Sequence, residues 1–112
     1  MLPETKKYLY DVSKACEAIL QFTAGKTIDD YDSDLLLRSA VERQLMIVGE
    51  ALNQASKIEP TLSESITSIR RIINLRNVIV YGYATVENET IWGILQQNTP
   101  ALHRDVTKLL EQ

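Results

Sequence analysis

Apolar residues recur every three or four positions along almost the whole chain, which is the spacing of one face of an α-helix. The first such segment begins near Pro3, a residue that suits the first turn of a helix, and ends at Gly25. A long second segment follows the polar stretch "KTIDDYDSD" and runs to about Lys57, with Ser33 or Asp32 as its expected N-terminal cap. These two segments predict two long amphipathic helices.

The second half of the chain continues the helical pattern. The letters "TLSE" indicate a capping box from Thr61 to Glu64, and a third helix is expected from there to about Val80, with Gly82 as its terminator. A short fourth helix is expected in "VENETIWGIL", and a last one with Thr99 as cap and Pro100 in its first turn. Because no alternating strand pattern accompanies these segments, the sequence predicts an all-α bundle of four or five helices.

Length and composition place this bundle in one domain covering residues 1–112, since the chain is too short for two cores. The chain has no run of about 18 apolar residues, and its first ten residues lack the apolar segment of a secretory signal. We therefore expect a cytoplasmic protein without a membrane span. The single cysteine, Cys16, excludes an internal disulfide and a cysteine-rich metal site. It lies on the apolar stripe of the first helix, so we expect a buried thiol.

Charge is distributed unevenly along the chain. The net charge of −3 argues against indiscriminate binding to nucleic acid. Residues 65–86 nevertheless contain no acidic residue and include Arg70, Arg71 and Arg76. A segment cleared of carboxylates is available to an anion, although chance clustering would produce the same pattern.

Arg76 occupies an unusual position in the third helix. At about 100° per residue, it lies at the centre of the apolar face. The residues within about 60° of it are Ile69, Ile72, Ile73, Ile79, Val80 and Tyr83. A guanidinium there must be paired or must meet an anion, because burying it alone is costly. Two interpretations stay open: an ion pair with a neighbouring helix, for which Glu50 is a candidate, or a phosphate ligand held between helices.

Tyr81 falls on another face of the same helix, about 140° from Arg76. The two side chains could meet only if the helix loosened before Gly82, or if a second subunit brought its own copy across a twofold axis. A site that uses both residues would therefore be a dimer site.

Three blocks of the sequence resemble the HepT-like group of HEPN-domain proteins. The blocks are "AVERQLMIVGEALNQ" (residues 40–54), "SIRRIINLRNVIVYGYATV" (residues 68–86) and "IWGILQQNTPALHRDV" (residues 91–106). They occur in order and at family-like distances. Together with the first helix, the resemblance spans nearly the whole chain.

The resemblance implies a homodimeric helical domain that acts as a ribonuclease toxin without a metal or other cofactor. Its usual partner is a small nucleotidyltransferase antitoxin. The family motif is Arg-x4-His-x-Tyr, whose arginine and histidine line a cleft at the dimer interface. On this chain, Arg76 matches the arginine, Asn77 the polar residue that often follows it, and Tyr83 the tyrosine that accepts AMP from the antitoxin.

Tyr81 stands where the motif has histidine. Metal-free RNA cleavage needs a base for the ribose 2′-hydroxyl, and histidine suits this role because its pKa lies near neutrality. A tyrosine side chain has an ordinary pKa of about 10 and is rarely ionised at pH 7. The resemblance thus implies either a weakened endoribonuclease or, alternatively, a non-catalytic module that docks a nucleotidyltransferase and receives AMP.

Two further residues, His103 and Trp92, have side chains that could take part in a site. His103 lies among charged neighbours in the last helix, so we expect it to be exposed rather than catalytic. Trp92 is expected to anchor the core or an interface, with base stacking as the alternative.

Overall fold

The computed structural model describes residues 1–82 and 87–112, and within them the chain forms five α-helices and one 3-10 helix. The α-helices are α1 (Pro3–Thr23), α2 (Ile28–Ser33), α3 (Leu35–Ile58), α4 (Ile69–Tyr81) and α5 (Asn88–Leu110), and the 3-10 helix is Pro60–Glu64. No β-strand occurs in these two ranges. The predicted all-α bundle is confirmed.

Helix α1 packs against both α3 and α5, and α3 also packs against α2, α4 and the 3-10 helix. Helix α4 packs against α3, and the short α2 contacts both α3 and α5. The apolar stripes predicted from the sequence meet in one core. Its fully buried side chains include Leu9, Val12, Ile19, Val41, Leu45, Val48, Leu52, Ile66, Ile72, Leu102 and Val106.

The polar stretch before α3 is more ordered than the sequence indicated. Thr27 and Asp30 form a reciprocal capping box: the Thr27 hydroxyl accepts from the Asp30 amide at 3.2 Å, and the Asp30 carboxylate accepts from the Thr27 amide at 2.9 Å. This box starts α2, and it holds the pKa of Asp30 below its usual value. The cap of α3 is Asp34, which accepts from the Leu37 amide at 3.1 Å. The predicted caps Ser33 and Asp32 were wrong, because Ser33 belongs to α2.

Two other predictions of helix ends were also wrong. Residues 60–64 form the 3-10 helix without a side-chain cap, so "TLSE" is not a capping box, and α4 begins only at Ile69. The last two predicted helices are one continuous helix, α5, with Pro100 inside it and Thr99 buried rather than capping. A proline inside a helix costs about 3 kcal/mol. Helix α5 tolerates this because it buries apolar residues on both sides of the proline, among them Ile94 and Leu102.

The buried environment of Cys16 agrees with the sequence interpretation. The side chain is fully buried, and burial, followed by the negative charge of Glu17, raises the pKa of the thiol to about 12. His103 is less exposed than predicted: only 29% of its side chain is accessible, and its Nε2 lies 3.7 Å from a carboxylate oxygen of Glu17. The sequence pattern failed here because it placed His103 among charged neighbours without showing that α1 covers it.

Trp92 is a packing residue, and its partner was not identified from the sequence. Its ring lies 5.3 Å from that of Tyr31, centroid to centroid. Tyr31 is fully buried, and its hydroxyl has no hydrogen-bond partner among the residues that the structure describes. Burial also raises the pKa of Tyr31 above its ordinary value, so its hydroxyl stays protonated at neutral pH.

None of the helices found in residues 1–82 and 87–112 is long and apolar enough to cross a membrane.

The buried Tyr31 ring should stabilise the fold, whereas its unpaired hydroxyl should add little or lower the stability slightly. Tyr31→Ala removes a buried ring and should lower the free energy of unfolding by about 3–5 kcal/mol. Tyr31→Phe removes only the unpaired hydroxyl and should stay within about 1 kcal/mol of the native protein, or exceed it. Urea unfolding followed by circular dichroism measures both variants. A loss of several kcal/mol in Tyr31→Phe would show that the hydroxyl has a partner.

Candidate functional site

Arg76 is held in an ion pair on the apolar side of α4. Its Nη2 donates to Glu50 Oε2 at 2.6 Å, and its Nη1 donates to Asn77 Oδ1 at 2.8 Å. The Arg76 side chain is only 20% exposed, so this cation is largely removed from water. The other Glu50 oxygen accepts from Gln54 Nε2 at 2.9 Å. Both carboxylate oxygens are therefore occupied, and the chain of contacts fixes the guanidinium.

Gly49 allows the two helices to approach closely enough for this pair. A Cβ at position 49 would overlap the Cβ and Cγ of Arg76. Gly49 is itself buried within α3, directly before Glu50. Only a residue without a side chain fits between the helices at this point. This role was not predicted from the sequence, where the available signal was a glycine inside an otherwise regular helical pattern.

Beside Arg76 lies an open cleft of about 370 Å³. Three helices contribute to its walls. The lining residues are Tyr8 and Asp11 of α1, Arg43, Met46, Ile47, Glu50 and Ala51 of α3, and Arg76 of α4. Arg76 is thus the only residue of α4 lining this cleft, and the Glu50–Arg76 pair forms part of its wall.

The structure brings some predicted site residues together and separates others. Asn77 is exposed and touches Arg76 through its amide oxygen. Tyr81 is 72% exposed at the last position of α4 and does not line the cleft. Because α4 is continuous through Tyr81, loosening of the helix does not bring this tyrosine to Arg76. The predicted AMP acceptor, Tyr83, lies outside the described residues.

The other cations of the basic segment do not join Arg76. Arg70 and Arg71 are both exposed, and neither lines the Arg76 cleft. Arg71 instead borders a second groove of about 440 Å³ between α4 and the start of α5, where Val78 and Ile94 supply apolar surface. His103 contacts Glu17 and is also absent from the Arg76 cleft.

The part of the chain that the structure describes contains no candidate metal centre. No three or more histidine, cysteine, aspartate or glutamate side chains cluster there as ligands for an ion. What the site offers is a fixed guanidinium with an adjacent amide at the edge of a cleft. Guanidinium groups bind phosphate and carboxylate oxygens by directed hydrogen bonds. The arrangement defines a candidate anion-binding site in an all-α domain.

The chain belongs to the HepT-like ribonuclease family, whose model, described as "Ribonuclease HepT-like", matches residues 12–109. A protein of Thermococcus cleftensis named "Probable ribonuclease HepT" is 28% identical over 108 residues, covering 93% of this chain and 94% of that protein. "Putative RNase MJ1380" of Methanocaldococcus jannaschii is 24% identical over 105 residues, covering 92% of this chain and 94% of that protein. "Putative RNase TTE0752" of Caldanaerobacter subterraneus is 26% identical over 107 residues, covering 96% and 95%. No solved structure matches the chain significantly.

Gly49 and Gly93 provide a matched pair of substitutions. Gly49→Ala should lower the free energy of unfolding by about 1–3 kcal/mol, because the added methyl group overlaps Arg76. Gly93 lies in α5 with nothing within 4 Å of an added Cβ, so Gly93→Ala should raise stability by about 0.5–1 kcal/mol. Urea unfolding compares the two. Equal effects of both substitutions would contradict the close contact between α3 and α4.

Proposed function

We propose that this chain is the toxin of a toxin–antitoxin pair, an endoribonuclease that cuts RNA without a metal at a cleft between two copies of the chain. The observation that carries the proposal is the largely buried Arg76, fixed by Glu50 and Asn77 at the motif position of a HepT-like family member. The ribonuclease names of the relatives support the reaction class.

In this proposal Arg76 binds the scissile phosphate. A guanidinium has five N–H donors, and the contacts to Glu50 and Asn77 use only two of them. Glu50 holds the Arg76 guanidinium in one orientation before substrate binds. RNA binding therefore does not have to order this side chain. As negative charge develops on the phosphate in the transition state, a fixed cation beside it lowers the barrier. Asn77 orients the guanidinium through its amide oxygen.

The proposed dimer accounts for the separation of Tyr81 from Arg76. Within one chain these residues lie on different faces of α4, and only Arg76 lines the cleft. The outer face of α4 exposes Val78 and Tyr81, at 38% and 72%, and so offers apolar surface to a second copy. A twofold contact in which Tyr81 of one subunit reaches the open cleft beside Arg76 of the other would bring the two residues together. Cleavage would then require the dimer.

The residue at position 81 predicts a slow enzyme. Metal-free cleavage transfers the 2′-hydroxyl proton to a base while the 2′-oxygen attacks phosphorus and the 5′-oxygen leaves with a proton from an acid. Loss of a positioned general base costs about 10²- to 10⁴-fold in rate. Arg76 would retain phosphate binding and charge stabilisation, so residual activity is expected to depend on it.

The proposed partner is a nucleotidyltransferase antitoxin that transfers AMP to Tyr83. A second candidate function keeps the same partner without catalysis: a binding module that docks the nucleotidyltransferase and receives AMP. The tyrosine at position 81 favours this alternative, because it removes the motif histidine. The retained motif residues Arg76, Asn77 and Tyr83 favour the enzyme.

Cleavage of a total tRNA pool without metal distinguishes the two functions. Tyr81→His restores a side chain that titrates near neutrality, so it should raise the cleavage rate by about 10²- to 10⁴-fold. Arg76→Ala added to that variant should abolish the gain. If neither the native chain nor Tyr81→His cuts RNA while both remain folded, the result contradicts the ribonuclease function and supports the binding module.

Transfer of AMP can be followed with radiolabelled ATP and the cognate nucleotidyltransferase. Tyr83→Phe should abolish labelling because it removes the acceptor hydroxyl and keeps the ring. Tyr81→Phe is the control, since it removes the neighbouring hydroxyl only, and its labelling should equal that of the native chain. Labelling that persists in Tyr83→Phe and disappears in Tyr81→Phe would assign the acceptor to Tyr81.

A further inference from the structure

We propose that the cleft between α1 and α3 binds the base and ribose of one ribonucleotide, whose phosphate contacts Arg76. Tyr8 is its aromatic wall, and Asp11 and Arg43 supply polar contacts. The inference rests on the proposed function, because it assigns a substrate subsite to the same arginine. The subsite adds residues from outside the basic segment that contains Arg76, because Tyr8 and Asp11 belong to α1.

The positions of these residues on their helices explain why they share one cleft. Tyr8 and Asp11 are three residues apart in α1 and therefore lie on the same face of that helix. Arg43 and Glu50 are seven residues apart in α3, which is two turns, or about 10 Å along the helix. Since Glu50 contacts Arg76, the cleft has one arginine towards each end.

The surface between the two arginines has the composition of a base site. Met46 and Ile47 form partly buried apolar surface, and Tyr8 adds a partly buried aromatic ring. Bases stack on aromatic side chains whatever their sequence, because every base has a π-face. The Lys7 ammonium lies 5.6 Å from the Tyr8 ring centroid, so a cation borders the ring on this side.

The polar groups of the cleft are available to a ligand. Arg43 is exposed, and its side chain makes no ion pair or hydrogen bond with any residue in the ranges 1–82 and 87–112. Asp11 is paired only with Lys7, at 3.4 Å, and these side chains are 42% and 73% exposed. Exposed pairs of this kind contribute little to stability and open readily. An ionised Asp11 accepts hydrogen bonds only, which suits the N–H groups on base edges.

Size and charge restrict the ligand. A volume of about 370 Å³ is near the lower end for small-molecule sites, so the cleft has room for one nucleotide unit. The cleft is lined by two arginines and two carboxylates, Asp11 and Glu50, whose formal charges cancel. A di- or triphosphate would meet two carboxylates without sufficient compensating charge. One phosphodiester of a single strand is the better match.

Mononucleotide binding tests the subsite without requiring catalysis. The full-length protein is titrated with adenosine 3′-monophosphate, uridine 5′-monophosphate and inorganic phosphate by calorimetry or NMR. Tyr8→Leu keeps an apolar side chain without the ring and should weaken binding of adenosine 3′-monophosphate by about 5- to 100-fold. Binding of inorganic phosphate should stay unchanged in this variant and be lost in Arg76→Ala.

Two further variants keep the test decisive. Tyr10→Ala removes an exposed tyrosine of the same helix that does not line the cleft, and its nucleotide affinity should equal that of the native chain. Arg43→Gln changes an exposed residue that the fold does not need, and it should weaken nucleotide binding even if Tyr8→Leu fails to fold. Native affinity in Arg43→Gln, or equal affinities in Tyr8→Leu and Tyr10→Ala, would overturn the subsite.

The results separate the subsite from the proposed ribonuclease. Cleavage of tRNA that depends on Arg76, together with nucleotide affinities unchanged by Tyr8→Leu and Arg43→Gln, would overturn the subsite and leave the ribonuclease intact. Nucleotide binding that requires Tyr8, without RNA cleavage by the native chain or Tyr81→His, would support the subsite and overturn the ribonuclease.

Discussion

The pair between Arg76 and Glu50 is the interaction on which the rest of the site depends. A guanidinium centred on the apolar face of α4 has to be compensated, because an unpaired cation in that position would lose its hydration without replacement. Glu50 compensates it at 2.6 Å, and Gln54 holds the second carboxylate oxygen. Gly49 makes the pair possible by letting α4 approach the backbone of α3. One missing side chain thus sets the distance between two helices and the position of the cation.

This arrangement shows the first of the two interpretations of Arg76 that the sequence left open and is compatible with the second. The ion pair with Glu50 is present, and it holds the arginine at the wall of a cleft, where one fifth of the side chain is exposed. An ion pair that stabilises the packing of α3 on α4 also preorganises a cation for an anionic ligand, because the same contacts fix its direction. Structural and functional roles therefore need not compete at this residue.

Elsewhere in the bundle, tertiary packing outweighs local sequence signals. Pro100 and Thr99 together form a strong local signal for a helix start, yet α5 passes through them because its apolar face is buried on both sides. The reverse holds before α3, where the capping box of Thr27 and Asp30 makes a helix from residues that looked like a loop. In the first case long-range burial prevails over a local preference. In the second a local hydrogen-bond pair, which the sequence interpretation did not identify, starts a helix.

The sequence by itself determined the all-α class, the two long helices, the buried Cys16 and the presence of Arg76 on an apolar face, because helical periodicity is a local property of the chain. It also supplied Glu50 as one candidate partner, since this carboxylate lies on the helix expected to pack nearby. Only the tertiary structure decided that Gly49 brings these residues together and that Tyr8 and Asp11 share their cleft. The residues that line this cleft are up to 68 positions apart in the sequence. Their proximity depends on how α1, α3 and α4 are arranged in space, and no spacing within one helix encodes that.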